Sequence, residues 1–390
     1  LSSVAVRSLA LAACVAATLG LAGCKSSDKV AIDPTSTLGA GAASVEGGFS
    51  RASYANLETK SPVKAVYLRG DYLFAYTADN TVYVLNKSLD VKWVRQIVDV
   101  QTTLRAPLVY GEEFIFPTVA TLEIYKNDGT FVRSQALPAA LTTEVELDQR
   151  GLLLAGTASL TGGRVTLIDP SRQYRIVEQE TLIGTVASKP VGYQGVTFVA
   201  NDRGHVFAIG DENRAVWSLE DGAFKIDRAV QADLAVDDYG LYVAGTDGQL
   251  YVLDRGTGRI KWRYVAQNPL RVQPFVTQNV IYQVVPGTGL VALDKVEGKP
   301  YRDPLWTVPG VTRVVAADAT RVYALADADR LVAIDVKTGQ VQYNVTHGFD
   351  AFARNAGTDG TVYAATAAGQ LMSITTSRFG TSTGSIAAAK

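Results

Sequence analysis

Apolar and polar positions alternate along this chain in short runs of strand length, and no amphipathic helix of useful length interrupts them. Two segments show the arrangement best: residues 240–262 read GLYVAGTDGQLYVLDRGTGRIKW, and residues 321–343 read RVYALADADRLVAIDVKTGQVQY. Each gives an apolar strand, a turn with Gly or Asp, a second apolar strand ending near Asp, a further turn, and a more polar strand with an aromatic residue. One more apolar strand precedes these three in the full unit. The position closing the third strand falls at Asn86, Lys126, Asp169, Gly210, Asp254, Asp294, Asp335 and Thr375, at intervals of 40, 43, 41, 44, 40, 41 and 40 residues. Four strands recurring about every 40–45 residues make a β-propeller blade. Eight units therefore predict an all-β fold, an eight-bladed β-propeller of four-stranded blades over residues 49–378.

The tryptophans keep the same period. Trp93, Trp217, Trp262 and Trp306 are all expected in the fourth strand of their units, with Tyr343 in that place in the seventh. An aromatic residue recurring at one phase reads as a wedge between adjacent blades. The eighth unit ends soon after its third strand, residues 370–375, and lacks a fourth strand of its own. Closed propellers remove the exposed edge by borrowing a strand from the other end of the chain. Residues 49–60, FSRASYANLETK, are the candidate.

The first 24 residues, LSSVAVRSLALAACVAATLGLAGC, carry Arg7, an apolar run from Leu9 to Leu21, and small residues before Cys24. This reads as a secretory signal, and the run is too short for a membrane span of about 20 residues. The ending Leu21-Ala22-Gly23-Cys24 resembles the bacterial lipoprotein signal, which implies cleavage after residue 23 and lipidation of Cys24. Cys14 leaves with the signal, so the mature chain holds no free thiol, as suits an oxidising compartment. Lys25 and Ser26 follow the cysteine, with no Asp at the next position, which by resemblance to enterobacterial sorting favours the outer membrane, facing the periplasm. Residues 24–48 read as a lipidated cysteine and flexible tether, and residues 379–390 as a disordered tail.

The segments Asp254-x-x-Thr257-Gly258-x-x-x-Trp262 and Asp335-x-x-Thr338-Gly339-x-x-x-Tyr343 resemble the repeats of the quinoprotein-like, PQQ-repeat propellers. In that superfamily the Asp-x-x-Thr-Gly turn and the Trp dock neighbouring blades. Eight such repeats behind a lipobox resemble, more narrowly, the BamB-type outer-membrane assembly lipoproteins. That resemblance implies a scaffold that binds envelope proteins, in particular the periplasmic domains of the outer-membrane barrel insertase. It also implies a partner-binding loop at residues 184–190, Gly-Thr-Val-Ala-Ser-Lys-Pro, where Lys189 alone supplies the positive charge of the family's Leu- and Arg-bearing loop.

Composition narrows the chemistry. With 37 Lys+Arg against 38 Asp+Glu, the formal net charge is −1, which argues against a nucleic-acid binder driven by charge, and 47% apolar residues exclude disorder as the dominant state. Two His and two Cys cannot build a His-rich metal centre or a thiolate zinc site, so no metal is expected. A quinone-dependent dehydrogenase would need Ca²⁺ on clustered oxygen ligands, a catalytic Asp and a stacking aromatic, and such enzymes tend to be much longer. His205 and His347 have no partner at recognisable spacing and read as packing or exposed residues. Residues 380–384 match G-x-S-x-G literally but stand in the tail, away from any strand-to-helix turn. The turn Asp327-Ala328-Asp329 reads as solvated. The expectation is a protein without catalytic residues or cofactor; a quinone- or small-ligand-binding propeller is the alternative.

One feature is invisible in the totals. At the entrance to the innermost strand the units carry Lys64, Arg105, Glu144, Lys189, Arg228, Arg271, Arg313 and Arg354, spaced by 41, 39, 45, 39, 43, 42 and 41 residues. Seven of the eight are basic. One position per blade would form a ring around the axis and focus a positive potential there. The ring is expected either to receive an acidic partner or carboxylate, or to brace the blades through local pairing.

Overall fold

The computed structural model describes residues 49–219, 222–296, 301–327, 329–354 and 359–376. The expected signal, Cys24, the tether, the tail and the serine motif at 380–384 lie outside the described residues. The rest is all β. Strands lie at 63–96 in blade 1, 108–136 in blade 2, 146–182 in blade 3 and 191–225 in blade 4. They continue at 235–265 in blade 5, 275–308 in blade 6, 311–346 in blade 7 and 351–376 in blade 8.

Each blade is an antiparallel meander. Six form separate four-stranded sheets, while blades 8 and 1 make one eight-stranded sheet. These two join through their innermost strands, Ala351–Arg354 and Val63–Arg69, which run parallel with Ala353 beside Val66 and Arg354 beside Tyr67. The middle strands are apolar on both sides because a neighbouring blade covers each face. In blade 1, Tyr72–Thr77 and Thr81–Asn86 are buried almost throughout, whereas the outermost strand Val91–Gln96 is largely exposed.

The core is distributed accordingly. Among the described residues there are eight apolar clusters, one between each pair of adjacent blades. The cluster between blades 1 and 2 is an aromatic stack: Phe74 lies 5.1 Å edge-on from Phe114, and Trp93 lies 6.1 Å from Tyr125.

The ring closes as the sequence implied. Phe49–Asn56 pairs antiparallel with Gln370–Thr376, from Phe49 opposite Thr376 to Asn56 opposite Gln370, with one bulge between Arg51 and Ser53. Phe49 is buried, its ring 6.3 Å from Tyr323 and 6.0 Å from Tyr343 of blade 7. Blade 8 thus consists of three strands from the end of the described chain and one from its beginning.

One expectation about the strands needs correction. Trp93, Trp262, Trp306 and Tyr343 lie in fourth strands, but Trp217 does not. It falls in the connection ahead of a short fourth strand, Ala223–Lys225. The local ladder is reduced there to a bridge between Ile209 and Ala215.

Candidate functional site

The turn between third and fourth strands is built by its aspartate. Asp254 Oδ1 accepts Thr257 N and Thr257 Oγ1, both at 2.9 Å; Asp335 Oδ1 accepts Lys337 N at 3.0 Å, Thr338 N at 2.9 Å and Thr338 Oγ1 at 3.0 Å. Burial alone would raise the Asp254 carboxyl, but the Thr257 hydrogen bonds and nearby Lys261 hold it below its usual value. The turn then passes through a left-handed glycine, Gly258 at φ +72° and Gly339 at φ +71°, each under the indole of the preceding blade. A Cβ on Gly258 would stand 2.6 Å from Trp217, and one on Gly339 2.6 Å from Trp306.

The indoles also reach across the interface by hydrogen bonds. Trp93 Nε1 donates to Asn127 O at 3.0 Å, Trp217 to Arg255 O at 2.7 Å, Trp262 to Lys295 O at 3.1 Å and Trp306 to Val336 O at 3.1 Å. Each acceptor is the residue just past the aspartate phase of the next blade. Trp217 keeps this contact although it lies outside the strand. The arrangement is mechanical: one ring stacks on a bare backbone and ties it by a single donor. In blade 2 Arg133 takes the tryptophan's place and stacks on Tyr174 of blade 3, 5.0 Å from the ring centre.

The seven cations do not share one register position. Arg313 lies opposite Leu325 within the innermost strand of blade 7, Lys64 stands at the bulge between Val63 and Ala65, and Arg354 ends the innermost strand of blade 8. Arg105, Lys189, Arg228 and Arg271 precede innermost strands that begin at Leu108, Val191, Ala235 and Phe275. Connecting loops differ in length, so a nearly constant sequence spacing slides against the ladder. The uniform ring is replaced by two groups.

One group is engaged locally. Lys64 Nζ donates to Asn80 Oδ1 at 2.9 Å, Arg105 Nη2 to Leu141 O at 2.8 Å and Arg271 Nε to Gln231 Oε1 at 3.1 Å, while Lys189 pairs with Glu146. Glu144 accepts the Ala106 amide at 2.9 Å. The other group, Arg228, Arg313 and Arg354, has no side-chain hydrogen bond or ion pair among the described residues. Lys64, Arg313 and Arg354 nevertheless line one cavity of about 300 Å³ at the junction of blades 7, 8 and 1, together with Asp329, His347, Asp350 and Phe352.

Both histidines are packed. His205 is buried and stacks on Phe207 at 5.9 Å; His347 is buried edge-on against Phe352 at 4.8 Å, and its Nδ1 accepts the Phe349 amide at 3.3 Å. Asp327 accepts Arg330 Nε through its backbone carbonyl at 3.1 Å. Among the described residues no three His, Cys, Asp or Glu side chains converge on one point.

The stretch at 184–190 is pinned by hydrogen bonds. Thr185 N donates to Asp202 Oδ1 and Lys189 N to Asp233 Oδ1, both at 2.8 Å, and Val186 is buried. Apolar exposure comes from its neighbours instead. Ile183 precedes the stretch, and Leu160 tips a long hairpin formed by Leu153–Ser159 and Gly162–Asp169.

Further residues escaped the sequence reading. Lys295 is a buried cation that pairs with Asp237 across the interface of blades 5 and 6. Burial alone would raise the Asp237 carboxyl; hydrogen bonds from Lys295 and Tyr242 hold it below its ordinary value. Tyr242 OH donates to Asp237 Oδ1 at 2.8 Å, as Tyr323 OH does to Asp318 Oδ2 at 2.7 Å. The spacing Asp-x-x-x-x-Tyr at the turn between first and second strands is the signal that could have found these corners.

Eight meander blades make this an eight-bladed β-propeller, and its Asp-x-x-Thr-Gly turns with the indoles docked on them resemble the repeats of PQQ-repeat propellers. The chain is similar to BamB over part of its length: residues 202–383 match the family model described as outer membrane protein assembly factor BamB. BamB from Moraxella catarrhalis is similar in structure, with a TM-score of 0.64 at 15% identity, over 85% of this chain and 99% of that one. The computationally designed Ika8 protein is similar too, with a TM-score of 0.65 at 15% identity, over 82% of this chain and 98% of that one. At such identity both likenesses concern the fold alone. No curated protein matches the chain in sequence.

Proposed function

We propose that the protein is a non-enzymatic, lipid-anchored scaffold of the cell envelope, held through Cys24, that docks partners in outer-membrane β-barrel assembly. The periplasmic domains of the barrel insertase are the first candidates. The lipobox and the match to the BamB family model support this reading.

The observation that carries it is a set of bare aliphatic side chains at one end of the ring. Val100 is 56% exposed, Val119 37%, Leu160 106% and Ile183 52%. In a meander, the loops between second and third strands and those between blades emerge at the same end, and these four residues occupy such loops from blade 1 to the start of blade 4. Single exposed aliphatics are ordinary, but four on five successive loops of one face are suited to docking, with function on loops held by rigid strands.

The test is a crosslinked pull-down from envelope fractions with Leu160→Glu/Ile183→Glu. Recovery of envelope partners should fall roughly tenfold or more, with the melting temperature unchanged because neither side chain is buried. Undiminished recovery would overturn the assignment of this face.

A further inference from the structure

The cavity between blades 7, 8 and 1 gathers one cation from each blade: Arg313, Arg354 and Lys64. Its volume of about 300 Å³ is at the lower end of what small ligands occupy. The two guanidinium groups lie beside aromatic rings, Arg313 5.9 Å from the centre of Phe352 and Arg354 5.8 Å from that of Tyr67. Neither has a hydrogen-bonding or ionic partner among the described residues.

Carboxylates stand nearby without pairing with them. Asp350 Oδ2 accepts the Ala367 amide at 2.6 Å, Asp79 Oδ1 accepts the Thr81 amide at 3.2 Å, and Asp329 faces His347. Burial lowers the Arg313 pKa, and the charge of Arg354 lowers it further; burial likewise lowers that of Lys64, against the pull of Asp79. The cations are thus held together at a cost that an arriving anion would relieve. Guanidinium forks match the planar carboxylate, and Phe349, Phe352 and Leu325 give the cavity an apolar wall suited to carbon next to that group.

We propose that this cavity binds carboxylates, presented by an acidic peptide segment or by a small organic acid. Because the three cations come from three blades that include the closing pair, a bound carboxylate clamps the ring where it is closed. The site is distinct from the aliphatic loop tips, so either can fail without the other.

Calorimetric titration of the whole protein with tetraglutamate, C-terminally amidated tetraglutamine, citrate and inorganic phosphate tests the proposal. Tetraglutamate or citrate should bind and raise the melting temperature, and tetraglutamine should not; a response to tetraglutamate alone identifies the peptide source. Arg313→Gln or Arg354→Gln should weaken binding roughly tenfold or more, the loss expected for one charge-assisted contact. Arg271→Gln, outside the cavity, should leave it unchanged. Lys64→Gln, at an exposed position, provides the same comparison should an arginine variant fail to fold. Absence of carboxylate binding by the unaltered protein, phosphate binding as tight as citrate, or equal loss in Arg271→Gln would overturn it.

Discussion

At the scale of single residues, four indoles each donate to a backbone carbonyl of the next blade, while the basic side chains find their partners case by case. The tryptophans were legible in the sequence because a large aromatic at a fixed phase has few roles in a propeller. The cations were not, because a long side chain finds its partner by loop geometry: Lys189 reaches Glu146, whereas Arg313 and Arg354 reach no hydrogen-bonding or ionic partner among the described residues. His347 shows what burial does to an imidazole. Its desolvation holds the pKa below 6.5, despite the attraction of Asp329. The unfolded chain therefore takes up a proton that the folded chain resists, and stability must fall as pH drops from 6.5 through the lowered value. Melting curves between about pH 7.5 and 5.5 should show this slope. His347→Gln should flatten it, and an identical slope in that variant would assign the effect elsewhere.

At the scale of the element, the turn between third and fourth strands recurs with a fixed irregularity. The register slips by one residue beside Leu85, Tyr125, Ile168, Leu253 and Ile334, at the same point of five blades. The residue paired just before the slip is the aromatic in blades 1, 5 and 7, namely Trp93, Trp262 and Tyr343, and is Arg133 in blade 2 and Glu178 in blade 3. Gly339→Ala should be strongly destabilising, because a methyl group there meets both left-handed backbone and the Trp306 ring. The expected loss is about 2–4 kcal/mol, from strain and overpacking together. Gly70 is also left-handed, φ +57°, but a Cβ there meets nothing within 4 Å, so Gly70→Ala should cost only about 1 kcal/mol. Chemical denaturation of the two variants separates packing from backbone strain. The sequence displayed this turn clearly, since Asp, Thr and Gly each have one structural reason to be there. It could not display the slide of the cations, which depends on loops of unequal length, nor the shortened fourth strand beside Trp217.

At the scale of the molecule, the period alone was enough to predict blade number and closure, because eight repeats with one strand missing leave a single way to hide an edge. The core is a circuit of eight interfaces, and each is only as secure as the closing one. Phe49→Ala removes a buried ring from between Tyr323 and Tyr343 and should cost about 3–5 kcal/mol. Deletion of residues 48–60 should go further, baring the edge of Gln370–Thr376 and causing a large loss of stability with aggregation. An unchanged melting temperature after the deletion would contradict the closure. The direction of the closing strand has one more effect. Phe49 stands at the end of the strand pair where Thr376 lies, and a force applied at Phe49 can be directed along the strand axis, away from Asn56. Under a pull in that direction the paired positions from Phe49 to Asn56 share the load in shear instead of opening one after another like a zip. A protein fastened at that end could bear tension between an anchor and a docked partner without its ring opening first.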